Sequence, residues 1–287
     1  MPINTMMLLV VLAVLLAGAY TDIRTREVPD WLNYGLISIG LGVRLIYSLA
    51  TFEWAYIFEG ILGFVAFLVL AYVMFYAGQW GGGDAKMIMG LGAVFGLRLD
   101  PSDFTVSFLI NVFLVGAVYG LIWSAALAIR NWKSFRREMK RITHSRRIMR
   151  ARKILIPSAA VLLVIAFFVE DFFLKLLLFA LVALYLVTLY LWVAIRAIER
   201  SSMYKRVEPE KLTEGDWIVK DIVVDGKRIT GPEDLGIDMK QIKKLMKLKK
   251  QNKVNKILIK EGIPFVPSFL LAFIATYLFG NLFILVL

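Results

Sequence analysis

Cysteine is absent from the 287 residues, and histidine occurs once, at His144. The first absence excludes disulfides, thiolate nucleophiles and cysteine-ligated zinc. The second leaves no material for a histidine relay or a metal cluster, so no metal site is expected; His144 itself reads as an ordinary residue of a basic loop. There is no Gly-rich phosphate loop, zinc module or aromatic RNA-binding platform. Acidic residues are outnumbered 22 to 34, which gives a net charge of +12. The first apolar run, 3–20, lacks both a basic flank ahead of it and a small-residue cleavage site, and is expected to be a retained span.

What is present is mostly hydrophobic: 59% of the chain. Eight apolar segments follow one another at approximately 3–20, 32–50, 57–77, 85–97, 104–129, 154–169, 172–195 and 265–286, most of them near the length needed to cross a bilayer. The fold class expected is an all-α polytopic membrane protein of about eight transmembrane or half-spanning helices, carrying a small α+β insert. Lys and Arg favour cytoplasmic loops. With the N-terminus outside, the inward segments 21–31, 78–84, 130–153 and 196–264 hold nearly all the basic residues, while 51–56, 98–103 and 170–171 hold only Arg98. Arg44 and Lys175 lie near span ends and are expected to snorkel. Both termini are therefore expected outside a plasma membrane, and the basic clusters are expected to meet lipid headgroups rather than nucleic acid.

Three parts follow: a helical membrane core over 1–195 with a basic cytoplasmic loop at 130–153, an insert over 196–264, and a last span over 265–287. Within the insert, 216–224 reads as a strand, Asp225-Gly226 as a hairpin turn, 237–250 as a Lys-rich helix and 253–259 as a final strand.

Two carboxylates stand where spans meet inward loops. Asp22 ends the first apolar run. Asp84 follows Gly81, Gly82 and Gly83 and opens the fourth, whose 13 residues to Leu97 make about 20 Å of helix against a hydrocarbon core of about 30 Å. The segment is thus a half-span, or the glycines already lie at membrane depth, packed in protein or lining water; glycine there permits positive φ and close approach. Carboxylates near lipid are expensive and usually functional. A plain helix cap is the blander account of Asp84. Two adjacent carboxyls cannot both ionise cheaply, so one activates water while the other donates a proton. Helix-end dipoles suggest Asp84, at a helix start, as the base and Asp22, at a helix end, as the acid, although Arg24 and Lys86 can reverse the order.

These residues resemble the GxGD membrane aspartyl proteases, specifically the type IV prepilin peptidase and archaeal preflagellin peptidase family. Thr21-Asp22-Ile23-Arg24-Thr25-Arg26-Glu27-Val28-Pro29-Asp30 is similar to the first-aspartate segment, Gly81-Gly82-Gly83-Asp84-Ala85-Lys86 to the second, and Pro264-Phe265-Val266-Pro267 to the opening of the last span. The resemblance implies an endopeptidase that removes short leaders from pilin-like or archaellin precursors at the cytoplasmic face, with no cofactor. Asp22 and Asp84 would be the catalytic pair, and Gly81 and Gly83 would give backbone freedom beside Asp84. Lys86 would tune Asp84 or reach lipid phosphates; Glu27 and Asp30 would meet a basic leader or remain solvated; Pro264 and Pro267 would break the last helix or begin it. Lack of cysteine fits the archaeal, peptidase-only kind. Two rivals stay open: a presenilin-like protease cutting inside a transmembrane helix, and a proton-coupled transporter.

Overall fold

The computed structural model describes residues 2–98, 100 and 103–286. Long apolar runs become long helices: α1 (Pro2–Thr25), α2 (Asp30–Thr51), α3 (Trp54–Tyr76), α4 (Gly82–Phe95), α5 (Phe104–Arg130), α6 (Trp132–Thr143), α7 (Arg146–Phe168) and α8 (Phe172–Ile198). Six of them, all but α4 and α6, are long and apolar enough to cross a membrane. After the insert come α9 (Met239–Lys250), α10 (Val266–Phe279) and α11 (Leu282–Val286). The chain is a multi-pass membrane protein, and its many exposed leucines, isoleucines and phenylalanines are what a lipid-facing surface requires.

The short helix α4 is the centre of the bundle. Met87, Ile88, Leu91 and Ala93 are fully buried, because a helix apolar on every side is stable only when surrounded. Its glycines let neighbours approach to backbone contact. A Cβ built on Gly92 would lie 2.5 Å from the Gly63 carbonyl oxygen and 2.7 Å from Phe67, and one on Gly90 would lie 2.9 Å from Leu36. Around α4 pack α1, α2, α3, α5 and α10, through Val11, Leu15, Leu36, Phe67, Phe108 and Phe269.

Arg44 does not snorkel. It is 4% exposed and turns inward onto the C-terminal end of α4, where Nη2 donates to Val94 O (2.9 Å) and Phe95 O (2.6 Å) and Nη1 donates to Tyr56 O (2.8 Å). Helix ends leave carbonyls without intrahelical partners, and a cation there also meets the negative end of the dipole. The far end of α4 is thereby fixed to α2 and to the start of α3.

The basic segment expected as a loop at 130–153 is helical instead. Residues 132–143 form α6, with an apolar side that contributes Ile142 to a separate cluster with Ile148, Val193 and Ala197. Ser145 then caps α7, accepting from Ile148 N–H. Charge had concealed the amphipathic spacing, which suits a helix lying at a membrane interface.

The insert has its own apolar core of Ile218, Ile229, Ile237, Ile242, Leu245, Ile257 and Ile259. Strands β1 (Tyr204–Val207), β2 (Trp217–Ile218) and β5 (Ile257–Lys260) form an antiparallel sheet in the order β1-β5-β2. Strands β3 (Ile222–Val224) and β4 (Lys227–Thr230) form a hairpin. The run expected as one strand over 216–224 is therefore divided between two sheets. Asp225 (φ 51°) and Gly226 (φ 75°) both take left-handed backbone, the geometry of the two-residue hairpin turn that Asp-Gly favours. A capping box starts α9: Gln241 N–H donates to Asp238 Oδ1 (2.6 Å) and Asp238 N–H donates to Gln241 Oε1 (2.9 Å).

Candidate functional site

Asp22 lies on the last full turn of α1 and is 5% exposed. Its Oδ2 accepts from the backbone N–H of Val266, the first residue of α10 (2.9 Å). Helix starts have spare N–H groups, so a carboxylate is a natural partner there. Pro267 occupies the first turn of α10, where its missing N–H costs nothing. The two prolines therefore start a helix rather than break one, and the start they define is aimed at Asp22.

Asp84 lies in the first turn of α4, where its Oδ2 accepts from Gly81 N–H (3.0 Å). The carboxylate caps its own helix, as the blander account required. It also lies within electrostatic reach of Asp22, the one side chain whose charge acts on it. Trp80 is what brings this end of α4 toward Asp22. Its buried indole packs on Phe265 (5.9 Å between rings) and Phe269 (5.4 Å), binding the segment before the glycines to the start of α10. Deeper in, Gly18 lets α1 meet Met87, Val266 and Leu32, where an added Cβ would lie 2.9, 3.3 and 3.5 Å from them.

The glycines act through space rather than through φ. None of Gly81, Gly82 and Gly83 has positive φ; the nearest glycine that does is Gly78, at 67°. Gly82 and Gly83 are helical. A Cβ on Gly83 would press on Val28 at 3.2 Å, and one on Gly81 would lie 3.4 Å from Asp84 Oδ2. The expectation of backbone freedom at these glycines is corrected to one of close approach.

The helix-end argument for the acid and base roles also loses its footing. Asp22 ends α1 but faces the start of α10, so both carboxylates stand at helix N-termini, and Arg26 acts on Asp22 as well. Lys86 does not reach Asp84: its Nζ pairs with Asp30 (2.6 Å) and lies over the Tyr34 ring. Asp30 is accordingly engaged. Side-chain exposures of 34% and 60% make this a surface ion pair worth about 0–1 kcal/mol. Lys86→Gln is expected to change catalytic rate and midpoint of thermal unfolding only slightly, with kcat within about 5-fold of wild type by that same scale. A loss of 50-fold in a cleavage assay overturns this assignment.

Glu27 is exposed and faces the insert, whose Asp216 carboxyl is raised above its ordinary range by burial first and by Glu27 and Glu261 after. The adjoining Trp217 ring seats against Gly78, 3.3 Å from where a Cβ would be. The insert thus packs against the segment that precedes α4 and lies within electrostatic reach of the segment that follows α1. Among the described residues no group of three or more His, Asp or Glu could hold a metal ion.

Comparison with known proteins gives similarities over part of the chain. Residues 9–123 match the model of the type IV leader peptidase family. Preflagellin peptidases are among the similar proteins: that of Methanocaldococcus jannaschii is 35% identical over 83 residues, 29% of this chain and 35% of the relative. That of Methanococcus maripaludis is 29% identical over 127 residues, 41% of this chain and 55% of the relative; that of Methanococcus voltae is 35% identical over 80 residues, 28% and 34%. The chain spans between about a third and just over half of the length of these relatives. Both carboxylates fall inside the segment that is similar to the type IV leader peptidase family.

Proposed function

We propose that this chain is a membrane-embedded aspartyl endopeptidase that removes the N-terminal leader of archaellin or type IV pilin-like precursors, using Asp22 and Asp84. The observation that carries the reading is that these two carboxylates lie within electrostatic reach of each other, each accepting from an N–H at a helix start. The family match over the same residues and the names of the relatives support it.

The pair shares one proton, since two adjacent carboxylates do not both ionise. The ionised member takes a proton from water as the water oxygen adds to the scissile carbonyl carbon. The protonated member gives its proton to the carbonyl oxygen, and a tetrahedral diol forms. The C–N bond then breaks as the carboxyl that took water's proton gives it to the amide nitrogen, the other carboxylate takes a proton from a diol hydroxyl as the C=O re-forms, and the pair again holds one proton. Roles are assigned to the pair and not to either residue, because coupled groups titrate jointly.

The carboxylates work on the cytoplasmic side in this reading. The basic helices α6 and α9 supply the positive charge that retains a face inside and that binds anionic headgroups. The insert belongs to that face and packs against the segment that precedes α4.

The test is to incubate the purified protein with a precursor and to sequence the new N-terminus. A cut on the polar side of the substrate's hydrophobic helix, lost in both Asp22→Asn and Asp84→Asn, is the expected result. A cut within the helix overturns the leader-peptidase assignment in favour of intramembrane proteolysis. Failure to cut any pilin-type precursor overturns peptidase action.

A further inference from the structure

Two buried donors lie within electrostatic reach of Asp22 without an acceptor. Tyr119 Oη and Arg26 Nη1 are both inaccessible, and neither has a hydrogen-bond partner among the described residues. A buried donor left unmade costs about 1–3 kcal/mol, and native proteins seldom leave one so. Two such groups in one place call for an acceptor supplied by another molecule.

Their placement is built, not incidental. Tyr119 lies on α5 one turn beyond Gly116, against which the Phe265 ring packs, 2.8 Å from where a Cβ would be. Phe265 adjoins Val266, the donor to Asp22. The Tyr119 ring packs on Trp123 (5.8 Å), and the Arg26 guanidinium lies over the same indole (5.3 Å). Arg26 holds left-handed backbone (φ 63°), which costs a non-glycine residue about 1–2 kcal/mol. In that conformation its N–H closes α1 on Asp22 O (2.9 Å). Strain of this kind persists where its surroundings hold it and is concentrated at working sites. Asp22 and Arg26 are the two charges that act on the Tyr119 hydroxyl. Asp22, Arg26, Gly116, Tyr119 and Trp123 all lie within the family-matched segment.

We propose that Tyr119 Oη–H and Arg26 Nη1–H are the oxyanion donors of the site, reaching the scissile carbonyl oxygen beside Asp22. This rests on the peptidase reading. As water adds to the carbonyl carbon, the oxygen takes the pair's proton on one side and keeps two lone pairs. Tyr119 and Arg26 occupy these, and no proton leaves either residue. Donors fixed where charge develops, in a water-poor site, stabilise the transition state more than the bound substrate.

The experiment measures kcat and KM on an archaellin-type precursor for wild type, Tyr119→Phe, Arg26→Lys, Arg26→Gln and a chain with 3-fluorotyrosine at 119. Thermal unfolding in the same detergent serves as the folding control. Tyr119→Phe is expected to lower kcat about 100-fold with KM within about 3-fold. Arg26→Lys keeps more activity than Arg26→Gln, and the fluorinated phenol, a stronger donor of nearly equal size, keeps or exceeds wild-type kcat. If wild type cuts and Tyr119→Phe stays within about 3-fold in kcat, the inference falls and the peptidase reading stands. It falls equally if 3-fluorotyrosine is as poor as Phe, since a packing role is then sufficient. If wild type cuts no precursor, the peptidase reading fails first, and the donors lose their substrate with it.

Discussion

Replacing either carboxylate is expected to reduce cleavage by at least about 10³-fold, the range in which loss of a positioned acid or base falls. Asn is the informative substitution because it preserves the hydrogen bond each aspartate makes. An Asn oxygen at 22 still accepts from Val266 N–H, and one at 84 still accepts from Gly81 N–H. Packing around α4 and α10 is thereby kept, and the deficit is in the proton chemistry alone. The double variant should fall to the same floor as either single one, since members of one catalytic unit are not additive. Glu at either position restores the charge but moves it by one methylene. Misplacement of about 1 Å costs on the order of 100-fold, so Asp22→Glu and Asp84→Glu are also expected to be poor. Single-turnover cleavage in detergent, with folding followed by thermal melts, checks all of these. A fully folded Asp84→Asn protein that keeps a tenth of wild-type activity is incompatible with the proposed chemistry.

The second large effect is structural and begins at the other end of the same helix. Gly92 on α4 faces Gly63 on α3 so closely that an added Cβ meets the Gly63 carbonyl oxygen at 2.5 Å and the Phe67 side chain at 2.7 Å, and Gly63 has the reciprocal contact with the Gly92 carbonyl. A backbone oxygen cannot rotate away as the tip of a long side chain can. Overpacking a core typically costs about 1–3 kcal/mol, more when the backbone must yield, and Gly92→Leu adds four carbons at this contact. We expect it to cost at least about 3 kcal/mol by that scale, with a large drop in folded yield. Because α4 carries Asp84 at its start, any protein that does fold should lose activity beyond its loss of stability. Gly42, which has no neighbour within 4 Å of an added Cβ, is the matched control: Gly42→Ala should melt as wild type or slightly higher. Similar melting temperatures for Gly92→Leu and wild type are the outcome that removes this account.

Much of this was legible in the chain. Apolar runs of span length can only be helices in lipid, since every backbone polar group must be satisfied internally; the bounds of α2, α3, α5 and α8 differ from the expected ones by a few residues for that reason. Asp225-Gly226 announced its turn because few other pairs accept two left-handed residues. Other features were hidden by their nature. The amphipathic helix α6 was masked by its charge. Arg44 looked like a snorkelling side chain, and nothing local distinguishes a span end that faces lipid from one that faces the terminus of a buried helix. Asp22 and Asp84 could be named as candidates because each stands in a short motif. Val266, Trp80, Tyr119 and Arg26 could not, since they matter only through contacts made across α1, α4, α5 and α10. The helix-end argument for the acid and base roles failed for the same reason: the dipole of α1 was visible in sequence, and the opposing helix start was not.

The bond between Asp22 and Val266 joins residues 244 positions apart. During synthesis the first carboxylate enters the bilayer long before its backbone partner leaves the ribosome. Only insertion of α10 supplies that N–H, together with the phenylalanines that seat Trp80. On the proposed chemistry, a chain that has not yet inserted α10 holds Asp22 without its backbone partner, and is expected to be inert toward the hydrophobic helices around it.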